Sequence, residues 1–419
     1  MIPMAKGSAE DDKLRKGMIL MGPVCAFVML TPFAVADDWP QFRGIHRNGV
    51  SHETDLAKEW GEKRPKEIWR KPLGPGYSAV SIVGDRLYTL YAAEIDGQWK
   101  EVAVALSVKD GEELWRTPLG KRFDNEFGDG PRATPTVSGD RVYVLDSGGT
   151  FAALETSDGS IVWSMDFTEK FGVETPRFGY STSVLVDGDQ VIVQSGGGDG
   201  DNYVGINKYN GEIVWARGSG TAGYTSALPL TVGGKKRFVY VAGGKLVCID
   251  AAGGEVWSHE WPQGETHAMP IHIPPDKLYM AGAEGVGARL FRVTEADGKG
   301  EVELLWEQPF MRNHFSSAVV HEGTIYGFDN ATLKAISVED GKPAWGKRGL
   351  GKGSLILADG HLLVLSDRGK LVLVEATPAA YKEKGSLQAL EGRCWTAPAL
   401  ADGRLYLRNH DELVVYDLR

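Results

Sequence analysis

Seven tryptophans recur along the chain at intervals of 46, 48, 52, 42, 49 and 39 residues, and this period constrains the fold more than any other feature. They are Trp69, Trp115, Trp163, Trp215, Trp257, Trp306 and Trp345. Most of them follow a glycine turn at a short distance, as Asp110-Gly111 precedes Trp115. Repeats of about 40 to 50 residues with several strands each are typical of radial propellers, because solenoid repeats are shorter or helical. The period therefore predicts an all-β ring.

A second pattern counts the blades independently of the tryptophans. It is a hairpin turn followed by a strand whose apolar residues flank or include an aromatic, and its eight copies begin at Gly84, Gly139, Gly188, Lys236, Asp276, Glu322, Asp359 and Asp402. Gly-Asp and Asp-Gly between alternating apolar runs are strong hairpin signals, because the turn requires positive φ and the strands bury one face. We predict an eight-bladed β-propeller of four-stranded antiparallel blades.

The two ends of the chain complement each other. The last repeat contains only three predicted strands: Thr396–Leu400, Arg404–Arg408 and Glu412–Leu418. An orphan strand, Glu67–Lys71, precedes the first hairpin turn, so we predict that it completes the last blade as its outer strand and closes the ring. The seventh repeat, residues 353–392, lacks the tryptophan, and its fourth strand is predicted near Ser386–Leu390.

The N-terminal region has the features of an export signal. Basic residues at positions 13, 15 and 16 precede an uncharged stretch from Gly17 to Ala36, which ends Ala34-Val35-Ala36. This pattern predicts a cleavable signal peptide over residues 1–36 and a periplasmic or cell-envelope location. A membrane anchor is the alternative, because about 20 apolar residues can span a bilayer. An N-terminal extension is predicted over residues 37–65 and the propeller over residues 66–419.

Cysteine usage and net charge narrow the expected chemistry. Lipidation at Cys25 is not expected, because the residues before it form a poor lipobox. Cys248 and Cys394 fall in repeats about half a ring apart, so we predict no disulfide between them. The formal net charge is −10 and no basic run occurs, so nucleic acid is not an expected partner.

One unit of the repeat resembles a motif of a known family. It reads small residue, any residue, Asp-like residue, three residues, turn glycine, three residues and tryptophan. It stands at Ala105–Trp115, Ala153–Trp163, Gly205–Trp215 and Ala335–Trp345, with a one-residue shorter copy at Cys248–Trp257. It resembles the tryptophan-docking repeat of quinoprotein-like (PQQ-repeat) eight-bladed propellers. The leader from Asp38 to Gly44, followed by Arg47–Ser51, is similar to the N-terminus of exported members. The resemblance covers residues 38–419.

The docking role assigned to these tryptophans has a physical basis. A flat indole on an outer strand can bury its area between adjacent blades and donate its N–H to a backbone carbonyl of the neighbouring blade. We therefore interpret all seven periodic tryptophans as structural docking residues.

The resemblance implies two functional classes. One comprises periplasmic dehydrogenases that hold pyrroloquinoline quinone and calcium at the ring centre, and the other comprises non-catalytic scaffolds such as the BamB-type component of outer-membrane protein assembly. The chain has no Cys-Cys pair, on which the alcohol-oxidising type stacks its cofactor, and no residue matches the calcium-holding carboxylate and amide. We predict no catalytic residue, metal or cofactor, and a monomeric BamB-like scaffold with protein partners, peripheral association with the outer-membrane assembly machinery being one option. The alternatives are a small PQQ-dependent oxidoreductase with calcium and a periplasmic binder of a sugar or peptide.

A ligand or partner site is predicted where the loops leading into the innermost strands gather at one mouth of the channel. The candidates are Tyr77, Arg132, Arg177, Tyr180, Tyr224, His267, Arg312, Asn313, His314, Lys352, Arg393 and Trp395. This set is basic and aromatic in an acidic chain, which suits an anionic, planar ligand or an acidic peptide. Alternatively, these side chains pair with the nearby acids at positions 124, 126, 129 and 174 and only fill the mouth.

Overall fold

The computed structural model describes residues 38–61, 64–198, 200–296 and 299–419. Within these ranges 32 strands form eight antiparallel sheets of four strands each, which confirms the predicted eight-bladed propeller. One short helix, α1 (Phe167–Phe171), begins after Asp166, whose side chain accepts hydrogen bonds from the first-turn backbone. The predicted signal peptide over residues 1–36, Cys25 included, lies outside the described residues. No helix in the described ranges has the length and apolarity that crossing a bilayer requires.

In the first seven blades, four consecutive strands pair in sequence order from the channel outward. Blade 1 consists of β2 (Ser81–Val83), β3 (Arg86–Ile95), β4 (Gln98–Ser107) and β5 (Glu113–Lys121). Blade 2 consists of β6 (Thr136–Ser138), β7 (Arg141–Leu145), β8 (Thr150–Glu155) and β9 (Ile161–Asp166). Blade 3 consists of β10 (Leu185–Asp187), β11 (Gln190–Gln194), β12 (Tyr203–Asn207) and β13 (Ile213–Arg217). Blade 4 consists of β14 (Leu228–Val232), β15 (Lys235–Ala242), β16 (Lys245–Ile249) and β17 (Glu255–Glu260).

The same order continues through blade 7. Blade 5 consists of β18 (Ile271–Ile273), β19 (Lys277–Ala281), β20 (Ala288–Ala296) and β21 (Lys299–Gln308). Blade 6 consists of β22 (Val319–His321), β23 (Thr324–Asp329), β24 (Thr332–Ser337) and β25 (Pro343–Arg348). Blade 7 consists of β26 (Ser354–Ala358), β27 (His361–Leu365), β28 (Lys370–Glu375) and β29 (Glu383–Gln388). The eight predicted hairpin turns each connect the first and second strands of a blade.

The last blade joins both ends of the propeller. It consists of β30 (Ala399–Ala401), β31 (Arg404–Arg408), β32 (Glu412–Asp417) and β1 (Lys66–Pro72). Strand β1 pairs antiparallel with β32, with Trp69 opposite Val415. The predicted closure of the ring by an N-terminal strand is therefore consistent with this sheet.

The outer strand of blade 7 lies about three residues earlier than predicted. Strand β29 ends at Gln388, whereas the sequence placed the strand near Ser386–Leu390. The backbone N–H groups of Ala389 and Leu390 both donate to the carbonyl of Gly369, at 2.9 and 3.2 Å, so these two residues have left the ladder.

All seven periodic tryptophans lie on outer strands. Five indole N–H groups donate to a backbone carbonyl of the next blade: Trp69 to Val108 (3.0 Å), Trp115 to Thr156 (3.0 Å), Trp163 to Lys208 (3.1 Å), Trp306 to Val338 (3.0 Å) and Trp345 to Thr377 (2.8 Å). Trp215 instead donates to Oε1 of Gln190 in its own blade, at 2.8 Å. Trp257 packs against Gly300 of the next blade. The indoles therefore lie at the junctions between blades.

The turn glycine of each docking repeat meets the tryptophan of the preceding blade. Gly159 has φ +73°, and a Cβ at this position would lie 2.5 Å from Cε3 of Trp115. Both the left-handed backbone and the close indole require glycine here. This contact explains why the turn glycine and the tryptophan recur together in the sequence.

The N-terminal extension supplies a tryptophan where blade 7 has none. Trp60 is 3% exposed and its backbone N–H donates to the carbonyl of Lys384 in β29, at 2.8 Å. A Cβ on Gly385 would lie 2.5 Å from the Cβ of Trp60, so the extension and β29 are in close contact. Trp60 belongs to the apolar cluster that joins blades 7, 8 and 1.

The first part of the extension, residues 39–51, fills the centre of the ring, and we name it the channel plug. On one side, Trp39 exchanges two backbone hydrogen bonds with Ile82 in blade 1, both at 2.9 Å. Arg47 donates to the carbonyls of Ser183 and Val184 at the start of blade 3, at 2.8 and 2.9 Å. The side chain of Arg47 is fully buried.

On the opposite side, the channel plug reaches blades 6 and 7. Arg43 donates to the carbonyls of Ser317 and Ala318, at 3.3 and 2.5 Å, and the backbone N–H of Leu357 donates to the carbonyl of Gly49, at 2.9 Å. Because the plug bonds to inner strands on opposite sides of the ring, it spans the central channel. Its arginines satisfy carbonyls that the inner strands leave unpaired.

The two described cysteines are free and buried. Cys248 lies in the apolar cluster of blades 4 and 5, and Cys394 lies in the cluster that joins blades 7, 8 and 1. Burial raises the pKa of both thiols to about 12. Both residues therefore belong to the packed interior as neutral thiols.

Candidate functional site

A cavity of about 340 Å³ opens at the channel mouth, above the plug. Every one of the eight loops that lead into an innermost strand contributes at least one lining residue, and Phe42 of the plug lines it as well. The lining residues are Phe42, Tyr77, Ala79, Phe127, Arg132, Phe178, Ser181, Tyr224, Ser226, Glu265, His267, His314, Phe315, Lys352, Trp395 and Ala397. The volume lies within the range of about 300 to 1,000 Å³ that is usual for small-ligand sites.

Aromatic rings form most of the cavity wall. On one side Trp395 stacks on Tyr77, with ring centroids 5.9 Å apart, and lies 5.0 Å from the ring of Phe315. The hydroxyl of Tyr77 donates to the carbonyl of Phe127, at 2.7 Å, which fixes the Tyr77 ring. These rings come from the entrance loops of blades 1, 6 and 8, which meet at the channel mouth.

A second row of rings lines the other side. Phe178 lies 5.6 Å from Phe127 and 5.3 Å from Tyr224, and Tyr224 stacks on His267 at 5.0 Å with an interplanar angle of 22°. The rows thus give two aromatic walls that can hold another ring by stacking or edge contacts.

Arg132 is the best-anchored cation of the cavity. Its guanidinium donates to the carbonyls of Gly128, at 2.7 Å, and Gly130, and it lies over the rings of Tyr77 and Phe123 at 5.7 and 5.1 Å. No carboxylate of the described residues lies within salt-bridge distance of it. Burial lowers the pKa of Arg132, yet its charge persists because guanidinium is a very strong base.

Glu101 is the carboxyl group that acts most strongly on Arg132. Its side chain is fully buried and accepts hydrogen bonds from the backbone N–H groups of Phe123, at 3.2 Å, and Ser147, at 2.7 Å. Burial, and then the neighbouring Asp146, raise the pKa of Glu101 to about 8. Burial therefore favours the uncharged form of Glu101, which cannot neutralise Arg132.

Lys352 is the second cation of the lining. Its Nζ lies 3.1 Å from Nε2 of His314. Nε2 of His314 also lies 2.6 Å from Oε2 of Glu284. Glu284 is half exposed at the rim and does not line the cavity. Lys352 has no carboxylate within 4 Å among the described residues.

His267 carries a polar atom without a partner. Its Nδ1 is buried and has no hydrogen-bond partner among the described residues. Burial, and then the neighbouring His314, lower the pKa of His267 to about 4. The imidazole is neutral at pH 7 and retains one N–H donor and one acceptor nitrogen.

The structure brings most of the predicted mouth residues into the cavity. The members that line it are Tyr77, Arg132, Tyr224, His267, His314, Lys352 and Trp395. Arg393 borders it, because it lies 4.4 Å above the ring of Trp395 and donates to the carbonyl of Phe127, at 2.7 Å. Arg177 is exposed at the rim, 3.1 Å from Glu126 and 3.9 Å from Glu265.

Three predicted residues lie elsewhere. Tyr180 is 2% exposed, packs against Phe167 of α1 and donates its hydroxyl to the carbonyl of Ser195, at 2.8 Å. Arg312 pairs with Asp329 at 2.7 Å. Asn313 is buried and donates to the carbonyl of Phe328, at 2.8 Å. None of the three lines the cavity.

The nearby acids pair with only some of the basic side chains at the mouth. Glu126 pairs with Arg177, as expected, but Asp124 and Asp129 lie 2.6 and 3.8 Å from Arg122, outside the cavity lining. The salt bridges of the described residues leave Arg132 and Lys352 without a carboxylate. The mouth is therefore only partly neutralised by its own acids.

Sequence reasoning missed four phenylalanines and one acid. They are Phe42, Phe127, Phe178, Phe315 and Glu265. Phe178 and Phe315 directly follow predicted residues, so including both neighbours of each candidate would have found them. Phe42 and Phe127 come from the plug and from the long connection between β5 and β6, and the repeat period carries no information about either segment.

Comparison with known proteins identifies the family. A family model described as outer membrane protein assembly factor BamB matches residues 61–301 and, again, residues 248–376. The chain belongs to this family. The matches span well over half of the 419 residues and include the outer-strand tryptophans from Trp69 to Trp345. The predicted resemblance to PQQ-repeat propellers is confirmed.

Individual BamB relatives are distant. The outer membrane protein assembly factor BamB of Yersinia pestis is 22% identical over 313 residues, which cover 70% of this chain and 75% of the relative. The crystal structure of BamB from Moraxella catarrhalis superposes with a TM-score of 0.58 at 16% identity, covering 85% of this chain and 98% of that one. A quinohemoprotein alcohol dehydrogenase from Comamonas testosteroni superposes with a TM-score of 0.51 at 12% identity, covering 91% and 80%. At these identities the structural likeness shows the fold alone.

The cavity lining does not fit the calcium ion that the dehydrogenase class holds beside its quinone. Calcium takes six to eight oxygen ligands, usually with several carboxylates. Glu265 is the single carboxylate of the lining, and Arg177 lies 3.9 Å from it. The described residues contain no cluster of three or more acidic, histidine or cysteine side chains placed to hold a metal. We therefore derive no chemistry through that cofactor.

Proposed function

We propose that this protein is an exported, non-catalytic scaffold of the cell envelope that binds a protein partner at its channel mouth. The family supports this, because its relatives carry the name of an outer-membrane assembly factor. A rigid ring with converging loops suits partner binding, since the frame stays fixed while the loops provide the contacts.

The aromatic cavity at the mouth of the rigid propeller is the main support for this proposal. Seven aromatic side chains line a recess that is open to solvent on one side and has Phe42 of the plug in its lining. Partner proteins commonly insert a few anchor side chains into such recesses, and a preformed recess lowers the entropic cost of binding. A segment of a partner polypeptide is the occupant that we propose.

Export is tested at the N-terminus. When the full chain is expressed in bacteria and isolated from the envelope fraction, we expect its first residue to be Asp37, because the small residues Ala34 and Ala36 fit the signal peptidase. Intact-mass spectrometry of the isolated protein measures this directly. A chain that retains Met1 and remains in the cytoplasm would exclude the proposed location.

Partner binding is tested by selecting displayed peptides on the purified, exported protein. We expect a recurrent sequence pattern to be enriched, and we expect Ala397→Trp, which fills the cavity, to weaken binding of the selected peptides by about tenfold or more. Isothermal titration calorimetry with synthetic peptides gives the dissociation constants.

Ala380→Trp is the matched control, because Ala380 is exposed in the connection between β28 and β29, outside the cavity lining. It adds the same side chain and should leave binding unchanged. Failure to enrich any pattern, or equal binding by the Ala397→Trp variant, would show that the cavity is not the partner site.

A further inference from the structure

Two cations line the cavity, and neither has a carboxylate of the described residues within the 4 Å of a salt bridge. Arg132 uses two of its five N–H groups on the carbonyls of Gly128 and Gly130, and Lys352 contacts only the imidazole of His314. Both side chains are partly withdrawn from solvent, so their fields add within the recess. A cavity with this lining attracts a negative group.

The remaining titratable groups of the lining do not cancel this charge. His267 stacks on Tyr224 and, because burial lowers its pKa to about 4, it is uncharged at pH 7. The one carboxylate of the lining, Glu265, has the exposed Arg177 as its cation at 3.9 Å. The net charge that the lining presents to a ligand is therefore positive.

The apolar part of the lining favours a ring. Stacked pairs at Tyr77 and Trp395, and at Tyr224 and His267, stand on the two sides of the recess. Aromatic walls alone would also suit a quaternary ammonium ion, which binds to ring faces. Arg132 and Lys352 in the same lining would repel such a cation, so an anionic ligand is the better match.

We infer that the cavity binds an aromatic ring that bears a neighbouring carboxylate, with the ring between the aromatic walls and the carboxylate on Arg132 and Lys352. This inference rests on the proposed function and makes it more specific. In a partner polypeptide, the matching element is an aromatic residue directly beside an acidic one. A free aromatic acid presents the same two groups, and the experiment separates these sources.

The first test compares two probes that differ in charge and hardly in shape, 2-naphthoate and 2-naphthamide, by isothermal titration calorimetry on the exported protein. We expect one molecule of 2-naphthoate to bind per chain and 2-naphthamide to bind at least tenfold more weakly. A cavity that binds both equally, or neither, overturns the inference.

The cations are then tested one at a time. Arg132→Gln and Lys352→Met are each expected to weaken 2-naphthoate binding about tenfold, since a charge-assisted contact is lost. Arg217→Gln is the matched control, because Arg217 is exposed at the end of the outer strand β13 and lies outside the lining, and it should change binding less than twofold. Lys352→Met keeps the test valid if Arg132→Gln disturbs its loop. Unchanged binding in a folded Lys352→Met variant would contradict the assignment.

The source of the ligand is tested with two capped tetrapeptides, Gly-Trp-Asp-Gly and Gly-Trp-Asn-Gly. Tighter binding of the aspartate peptide than of 2-naphthoate supports a polypeptide source, and tighter binding of 2-naphthoate supports a free aromatic acid. Equal binding of the two peptides together with equal binding of the two naphthyl probes defeats the inference. Selected peptides that bind without an acidic residue would defeat it too, while leaving the proposed partner binding intact.

Discussion

Replacing Arg408 with leucine is expected to lower the free energy of unfolding by about 4 kcal/mol, because several buried carbonyls lose their donor at about 1 kcal/mol or more each. Arg408 is 2% exposed at the end of β31 in blade 8. Its acceptors in blade 1 are the carbonyls of Gly74 (3.3 Å), Gly76 (3.1 Å), Ser78 (2.9 Å) and Leu90 (2.9 Å), and the hydroxyl of Thr89 (3.0 Å). One side chain therefore joins the last blade to the first.

Urea unfolding followed by tryptophan fluorescence measures the effect. Arg404→Leu is the control, since Arg404 lies on the same strand but donates a single hydrogen bond to blade 1, to the carbonyl of Val108 at 3.3 Å. Arg404→Leu should lower the free energy of unfolding by about 1 kcal/mol. The free energy of unfolding of Arg408→Lys should lie between those of the two leucine variants, because an ammonium retains the charge but lacks the planar set of five donors. Equal midpoints for the Arg408→Leu and Arg404→Leu variants would contradict the closing role.

The ring was predictable because its determinants are local. The conformation of each turn is determined by the few residues that form it. This holds for hairpin turns such as Gly84-Asp85 and for docking turns such as Asp110-Gly111. Counting eight turns against seven tryptophans was enough to assign Glu67–Lys71 to the last blade. The residual error in β29 arose where the tryptophan is missing and Trp60, from a distant part of the chain, packs against Gly385.

The cavity was predictable only in outline. Propeller topology brings the entrance loops together, so Tyr77, Arg132 and Trp395 could be placed at the mouth from their positions alone. The direction of each side chain depends on contacts beyond its own loop. Tyr180 turns into the core because the ring of Phe167 and the carbonyl of Ser195 lie behind it.

The position of residues 39–51 in the channel could not be predicted from the sequence, for a different reason. Arg43 and Arg47 are 3% and 0% exposed, although arginine is rarely buried without a partner. Their partners are carbonyls of inner strands more than 130 positions away along the chain. No local pattern encodes such pairing, so the extension was assigned without a role in the channel.

Replacing Trp163 with alanine is expected to lower the free energy of unfolding by about 3 to 5 kcal/mol, the usual loss for a buried tryptophan. The indole is 9% exposed at the junction of blades 2 and 3 and donates to the carbonyl of Lys208, at 3.1 Å. It packs edge-on against Phe151 and covers Gly211, where a Cβ would lie 2.9 Å from the indole. Truncation would open a cavity at this junction that the rigid strands cannot close.

Two further variants separate burial of area from the hydrogen bond. Trp163→Phe retains most of the ring but loses the N–H donor, so its loss should be smaller than that of Trp163→Ala. Trp99→Ala removes an indole that is 42% exposed at the tip of the β3–β4 hairpin and should cost well under half as much. Urea midpoints of all three variants decide the matter. An unchanged urea midpoint for Trp163→Ala would show that the indoles fill the blade junctions without stabilising them. The stability of the ring would then have to come from the inner strands, the channel plug and Arg408.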